Sequence, residues 1–171
     1  MKILVIVAQV GFRDEEYQVP YEFFREKGIS VDIASEEKGQ CIGKYGLTIN
    51  ADLGFKEISI GDYDAMVLVG GSGSKNLVDN QELRSILLNA AKQNKVIASI
   101  CYSGITLAEA GLLKGKKATV WDKDGENSKR LKTNGAIYIN EPVVVDGLIV
   151  TADGPSSAKE FAEEIVRLCQ Q

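Results

Sequence analysis

Apolar residues fall along this chain in two patterns. Lys2 to Ala8 (apolar after its first residue), Ala65 to Val69 and Val96 to Ile100 are short runs without polar alternation. Runs of that kind fit strands covered on both faces, as in a parallel sheet. Ser30 to Ala34 reads as a further strand. Elsewhere the apolar positions follow a helical period. Glu15 to Lys27 puts Val19, Phe23 and Phe24 on one face and stops at Gly28. Pro20 is expected close to the start of that helix, where its missing N–H does no harm. Gln81 to Gln93 predicts a second helix. Gly11 to Asp14 reads as a loop, and the glycine-rich stretch Cys41 to Ile49 as a hairpin excursion. Ala118 to Val120 is short and extended. Ile137 to Ile139, Val143 to Val145 and Leu148 to Thr151 are strand candidates, the last two joined by the hairpin signal Asp146-Gly147. Ser157 with Glu160 forms an expected capping box for a last helix that runs to about Leu168.

Strands alternating with helices imply an α/β protein with a mostly parallel sheet. No repeat, linker or low-complexity tract divides the chain, so residues 1–171 are read as one domain. The simplest architecture is a flavodoxin-like three-layer sandwich. Its strand order sets the first, third and fourth parallel strands side by side, and ligands bind beyond their carboxyl ends. Those ends carry Glu15 and Glu16, then Gly70-Gly71, then Cys101. An acid, a glycine-rich backbone and a thiol are therefore expected to converge.

Composition narrows the chemistry. A chain of 171 residues with 44% hydrophobic and 26% charged residues is large enough for a full core without staples. Its net charge of −4 offers no footprint for nucleic acid or an anionic membrane. The opening apolar run is too short to span a bilayer and fits a strand better than a signal peptide. The three cysteines, Cys41, Cys101 and Cys169, are odd in number and far apart. They form no disulfide framework and fit a reducing, cytoplasmic setting. Histidine is absent. That removes Ser-His-Asp triads, Cys-His dyads and most zinc chemistry, and leaves acid–base work to carboxylates, tyrosine, lysine, cysteine or the backbone.

The segment Ser99-Ile100-Cys101-Tyr102-Ser103-Gly104 carries the most chemistry. A strand stops at a cysteine, small residues follow, and a helical stretch begins at Ile105. That is the layout of a nucleophile elbow, with cysteine in the place of serine. Free N–H groups at the helix start favour a thiolate. An arbitrary cysteine ending an apolar strand is more often buried and inert; the elbow setting makes Cys101 the candidate nucleophile. Glu16 is the candidate proton partner, in preference to Glu15, although a first-turn carboxylate also serves simply to complement a helix dipole. Two acids in one site share a proton. The expected resting state is a thiolate beside a protonated Glu16. The backbone N–H groups of Gly71 and Tyr102 are candidates to hold an oxyanion, with Gly70 allowing close approach. Gly70 to Lys75 fits neither the Walker spacing nor a complete GxGxxG. Lys114 to Lys117 reads as a solvated turn, and Trp121 to Asp124 as a pocket mouth or an exposed loop.

These residues resemble the ThiJ/PfpI superfamily, which includes the parkinsonism-associated deglycase and archaeal intracellular proteases. Ala98 to Gly104 with Leu107 to Thr119 follows the family's cysteine-elbow segment. Phe12-Arg13-Asp14-Glu15-Glu16 with Pro20, Val69-Gly70-Gly71, and Asp146 to Thr151 with Gly154-Pro155 support it. The resemblance implies a flavodoxin-like fold of the class I glutamine amidotransferase type, assembled as a homodimer or higher oligomer. It implies Cys101 as the reactive thiol, Glu16 beside it, a pocket lined by Gly70, Trp121 and Pro155, and neither metal nor organic cofactor. The implied substrates are small reactive carbonyls or modified protein side chains, in a glyoxalase or deglycase activity. The alternatives are a redox-sensing thiol protein or holdase without turnover, and an intracellular cysteine peptidase. Three departures bear on that choice. Tyr102 stands where protease-like members have histidine, Lys75 where their acidic partner falls, and Trp121 about where deglycase-like members have histidine.

Overall fold

A computed structural model describes residues 1–171. In chain order the elements are β1 (Lys2–Ile6), β2 (Val10–Phe12), α1 (Asp14–Glu26), β3 (Ser30–Ser35), β4 (Gly39–Gly43), β5 (Thr48–Ala51), β6 (Leu53–Gly54) and β7 (Ala65–Leu68). There follow α2 (Gln81–Lys92), β8 (Val96–Ile100), α3 (Gly104–Glu109), β9 (Lys117–Ala118), α4 (Glu126–Thr133), β10 (Ile137–Tyr138), β11 (Val143–Asp146), β12 (Ile149–Ala152) and α5 (Ala158–Cys169).

The central sheet has seven strands in the order β11-β12-β8-β7-β1-β3-β6. Every neighbouring pair is parallel except β11 with β12, which the Asp146-Gly147 turn joins as an antiparallel hairpin. The run β3-β1-β7-β8-β12 is the doubly wound order expected of a flavodoxin-like sheet. Successive residues of each strand feed opposite faces. In β1, Ile3 and Val5 pack with Phe24 of α1 and with Phe161 and Ile165 of α5, whereas Leu4 and Ile6 pack with Leu83 and Leu87 of α2 and Ile105 of α3. Both faces are thus covered, which is why the strand sequences read as continuous apolar runs. The excursion at Cys41 is a β4–β5 hairpin, joined by β2 in a separate three-stranded sheet.

Local readings change in several places, and Gly11–Phe12, read as loop, belongs to β2. Pro20 lies in the middle of α1, not near its start. Its ring has no N–H to give the Glu16 carbonyl four residues back. Burial of Tyr17, Pro20 and Phe24 on the inner face holds the helix through that gap. The capping box at Ser157 does not form. The Ser157 hydroxyl donates to the Asp153 carboxylate, and a 3-10 turn over Pro155–Ser157 leads into α5. Helix α4 had no sequence signal because it buries only Ser128 and Leu131. One apolar anchor in eight residues leaves no periodicity to read.

The start of α1 is pinned by a buried acid. Asp14 accepts the backbone N–H groups of Tyr45 (3.0 Å) and Leu47 (2.8 Å), fastening the β4–β5 turn to the helix two residues before Glu16. Asp14→Ala strips the N–H groups of exposed Tyr45 and half-buried Leu47 of their shared acceptor. It is expected to cost about 2 kcal/mol of stability in urea denaturation and to speed amide exchange at Tyr45 and Leu47. A loss within the noise, with exchange unchanged, would show that Asp14 does not hold this turn.

Candidate active site

β8 delivers its last residue, Ile100, to the carboxyl edge of the sheet, and the chain reverses at Cys101 with φ 63°. Only Asn94 among the other non-glycine residues has a positive φ. This left-handed conformation is strained for a side chain with a Cβ and persists only where its surroundings impose it. Ser103 imposes much of it. Its hydroxyl accepts the Ile100 N–H (3.1 Å) and has the carbonyls of Ile100 (2.7 Å) and Leu68 (2.9 Å) as alternative acceptors. The elbow is thereby tied to itself and to the neighbouring strand β7.

Gly70 and Gly71 follow β7. A Cβ on Gly70 would lie 2.5 Å from Glu16 Oε2 and 2.6 Å from Cys101 Cβ, so only glycine lets the two approach. Gly71 has φ 106°, and a Cβ there would collide with the backbone of Gly11, Phe12 and Arg13. Glu16, on the first turn of α1, is fully buried. Its Oε2 accepts the Gly70 N–H at 3.1 Å, while Oε1 is buried without a hydrogen-bond partner.

The Cys101 thiol lies against the Glu16 carboxyl, and the backbone N–H groups of Tyr102 and Gly71 lie against the sulfur. Burial is the main cause of both shifts: Glu16 is pushed up to about 7 and Cys101 to about 12. The Glu16 charge raises the thiol further, and the two N–H groups oppose the rise. The pair therefore gives up one proton near pH 7 and keeps the other to about pH 12. Burial penalises a charge on either group, so the pair shares that remaining proton. The chain then enters a 3-10 turn (Cys101–Ser103) and a helix of six residues. The other thiols have no such partner. Cys41 is fully buried and raised by burial, and burial pushes Cys169 up to about 11.

A cleft of about 210 Å³ opens over the sulfur. Of the residues singled out from sequence, Glu16, Gly71, Cys101, Tyr102, Trp121 and Pro155 line it. Gly70 does not. It lies beneath the cleft, filled on its open side by Glu16 and Cys101. Four further residues line it without having been foreseen: Arg13, Lys44, Ser72 and Lys75. Lys44 reaches it only because the β4–β5 hairpin folds back over α1, which no local pattern announces. The Tyr102 phenol is drawn toward α4: Arg130 Nη1 donates to it at 3.2 Å, and Arg130 Nε pairs with Glu109 at 2.7 Å.

Burial of Glu16 links the site to stability. The folded chain holds this proton to about pH 7, against 4.5 for the free group. Stability from the raised group is complete below pH 4.5 and is lost as pH rises through 7. Glu16→Gln has no proton to lose. Its stability relative to the parent is expected to rise by about 3 kcal/mol between pH 4.5 and pH 8, as read by denaturant unfolding at the two values. A pH-independent difference would mean that Glu16 is not desolvated.

Residues 1–168 match the DJ-1/PfpI family model. The chain is 36% identical over 170 residues to a deglycase of Thermococcus kodakarensis, covering 98% of this chain and 99% of that one. It is 34% identical over 168 residues to the deglycase PfpI of Pyrococcus furiosus, with the same coverage of 98% and 99%. Among solved structures it superposes on a ThiJ/PfpI domain protein from Brachyspira murdochii with TM-score 0.94, at 31% identity, over 99% of this chain and 96% of that one. Drosophila melanogaster DJ-1beta gives TM-score 0.87 at 27% identity, over 99% and 91%. Matched in sequence almost from end to end, and sharing one fold with these structures, the chain belongs to the DJ-1/PfpI family.

Proposed function

We propose that this protein is a cysteine-dependent enzyme acting on reactive carbonyls, of the glyoxalase or deglycase type, with Cys101 as nucleophile and Glu16 as general acid–base. The observation that carries this reading is a strained cysteine elbow held against a buried carboxyl with one oxygen unpartnered, at the floor of an open cleft. The deglycase names of the Thermococcus and Pyrococcus relatives support the substrate class.

The singly protonated pair is the working state. As the sulfur forms a bond to the carbonyl carbon, its proton passes to Glu16 and the C=O pair moves onto oxygen. The N–H groups of Gly71 and Tyr102 face the developing oxyanion, and Glu16 returns the proton to give a hemithioacetal. With a 2-oxoaldehyde, Glu16 then carries a proton from the first carbon to the second. The hemithioacetal becomes a thioester, and water releases a 2-hydroxy acid. The aldehyde carbon is oxidised as its neighbour is reduced, so no outside electron acceptor is required. A peptidase using a Cys–His pair is disfavoured, because neither this chain nor a second copy of it contains histidine.

Cys101→Ala is expected to abolish conversion of methylglyoxal to lactate. Glu16→Gln should lower kcat by at least about 100-fold, the usual scale for a lost acid–base group. Turnover persisting in Cys101→Ala would overturn the assignment. The pH profile gives a second check. Glu16 must be ionised to accept the proton, so alkylation of Cys101 by iodoacetamide should rise through a midpoint near pH 7. In Glu16→Gln burial remains without the base, and the midpoint should move above the ordinary thiol value of about 8.5. A midpoint unmoved by the substitution would remove Glu16 from the mechanism.

A further inference from the structure

The cleft over Cys101 differs in charge from the rest of the molecule. The chain carries a net charge of −4, yet three of the residues lining the cleft are cationic, Arg13, Lys44 and Lys75, against the single carboxyl of Glu16. They come from three separate places: the residue before α1, the β4–β5 turn, and the 3-10 turn Ser72–Leu77 that follows Gly71. Arg13 is paired with Glu15 at 2.8 Å, which offsets part of its charge. Lys44 and Lys75 form no ion pair. Each ammonium instead lies over an aromatic ring, Lys44 Nζ 5.5 Å from the Tyr45 centroid and Lys75 Nζ 5.2 Å from that of Tyr102. The Arg13 guanidinium lies over the same Tyr45 ring at 4.7 Å. Aromatic faces hold cations in place without neutralising them. A cleft lined by one sign of charge concentrates the opposite sign.

We propose that the site selects small carbonyl compounds that carry an anionic group, a carboxylate or a phosphate, close to the reacting carbon. This rests on the reading of Cys101 as a nucleophile toward carbonyls, and it specifies the substrate class of that same site. The cations supply the binding contact, with Lys44 and Lys75 the two free to take the anion. The covalent step is unchanged. A bond forms between the sulfur and the carbonyl carbon, and the thiol proton ends on the carbonyl oxygen.

The charge preference can be measured without turnover. Iodoacetate and iodoacetamide present the same reactive carbon and differ in charge. The ratio of their rates at Cys101, read by peptide mass spectrometry at pH 8, is expected to exceed that of glutathione by at least about tenfold. About 0.5 M NaCl should screen most of the excess. Lys44→Met with Lys75→Met should bring the ratio close to the glutathione value, and Lys75→Arg should retain it. In a second arm, glyoxylate is compared with its methyl ester, and glycolaldehyde phosphate with glycolaldehyde, as protectants of Cys101 against alkylation. Each charged member should protect at about tenfold lower concentration than its neutral partner. Protection by only one of the two charged compounds identifies which anion the site accepts. A ratio at or below that of glutathione, a ratio indifferent to salt and to both lysines, or equal protection by charged and neutral partners overturns the inference. If the ratio holds while Cys101→Ala retains turnover, the charge preference stands and the catalytic reading falls.

Discussion

A carboxyl group taken out of water and set against a thiol is the constraint on which the rest of this site depends. Glu16 is fully buried, receives one backbone N–H, and leaves an oxygen unpartnered. An isolated arrangement of this kind is unfavourable, because buried polar groups in folded proteins are almost always hydrogen-bonded. It persists because the surrounding scaffold is stiff. Strands β1, β7 and β8 lie side by side, buried on both faces, and their carboxyl ends bring α1, Gly70-Gly71 and Cys101 to one point. Gly70 is where the constraint is tightest, since a single methyl group there would separate the acid from the sulfur.

The same burial organises the protonation chemistry. Desolvation raises both groups, and their mutual charge keeps them from ionising together. The pair gives up one proton near pH 7 and keeps the other well above it. The thiolate is the nucleophilic form of cysteine, so sharing one proton with Glu16 ties the reactivity of the sulfur to its acid neighbour. The N–H groups of Tyr102 and Gly71 lie at the sulfur. The strained φ at Cys101 fits this picture, since it turns the sulfur away from the strand and toward the cleft. Ser103, tied to Leu68 and Ile100, distributes the cost of that strain over two neighbouring strands.

Around this centre the chain adds charge from segments with no catalytic signature. The β4–β5 hairpin, fastened by Asp14, brings Lys44 to the cleft, with the Lys44 ammonium over the Tyr45 ring. Lys75 rides on the turn that follows the glycine pair. Arg130 of α4 holds the Tyr102 phenol and is itself held by Glu109 of α3. The residue after Cys101 is thus anchored by a helix whose own sequence gave no sign of forming. Part of the cleft wall therefore depends on a polar surface element rather than on the core.

Sequence alone determined the sheet and the carboxyl ends at which Cys101, Glu16 and Gly70-Gly71 meet. Continuous apolar runs of five to seven residues have few ways to bury both faces, and strand–helix alternation with doubly wound order sets which carboxyl ends meet. Cys101, Glu16 and Gly70-Gly71 were legible for that reason, and the Asp146-Gly147 and Cys41 hairpins were legible from turn chemistry. Tertiary structure decided what local pattern does not encode. Pro20 is tolerated in mid-helix because packing outweighs a lost hydrogen bond, and Ser157 turns to Asp153 instead of capping α5. Helix α4 exists because it docks through Leu131. Above all, only the fold decided that a thiol and a buried acid share a proton and which cations line the cleft above them. Desolvation and Coulomb interactions depend on distance in space, and that distance is unrelated to separation along the chain.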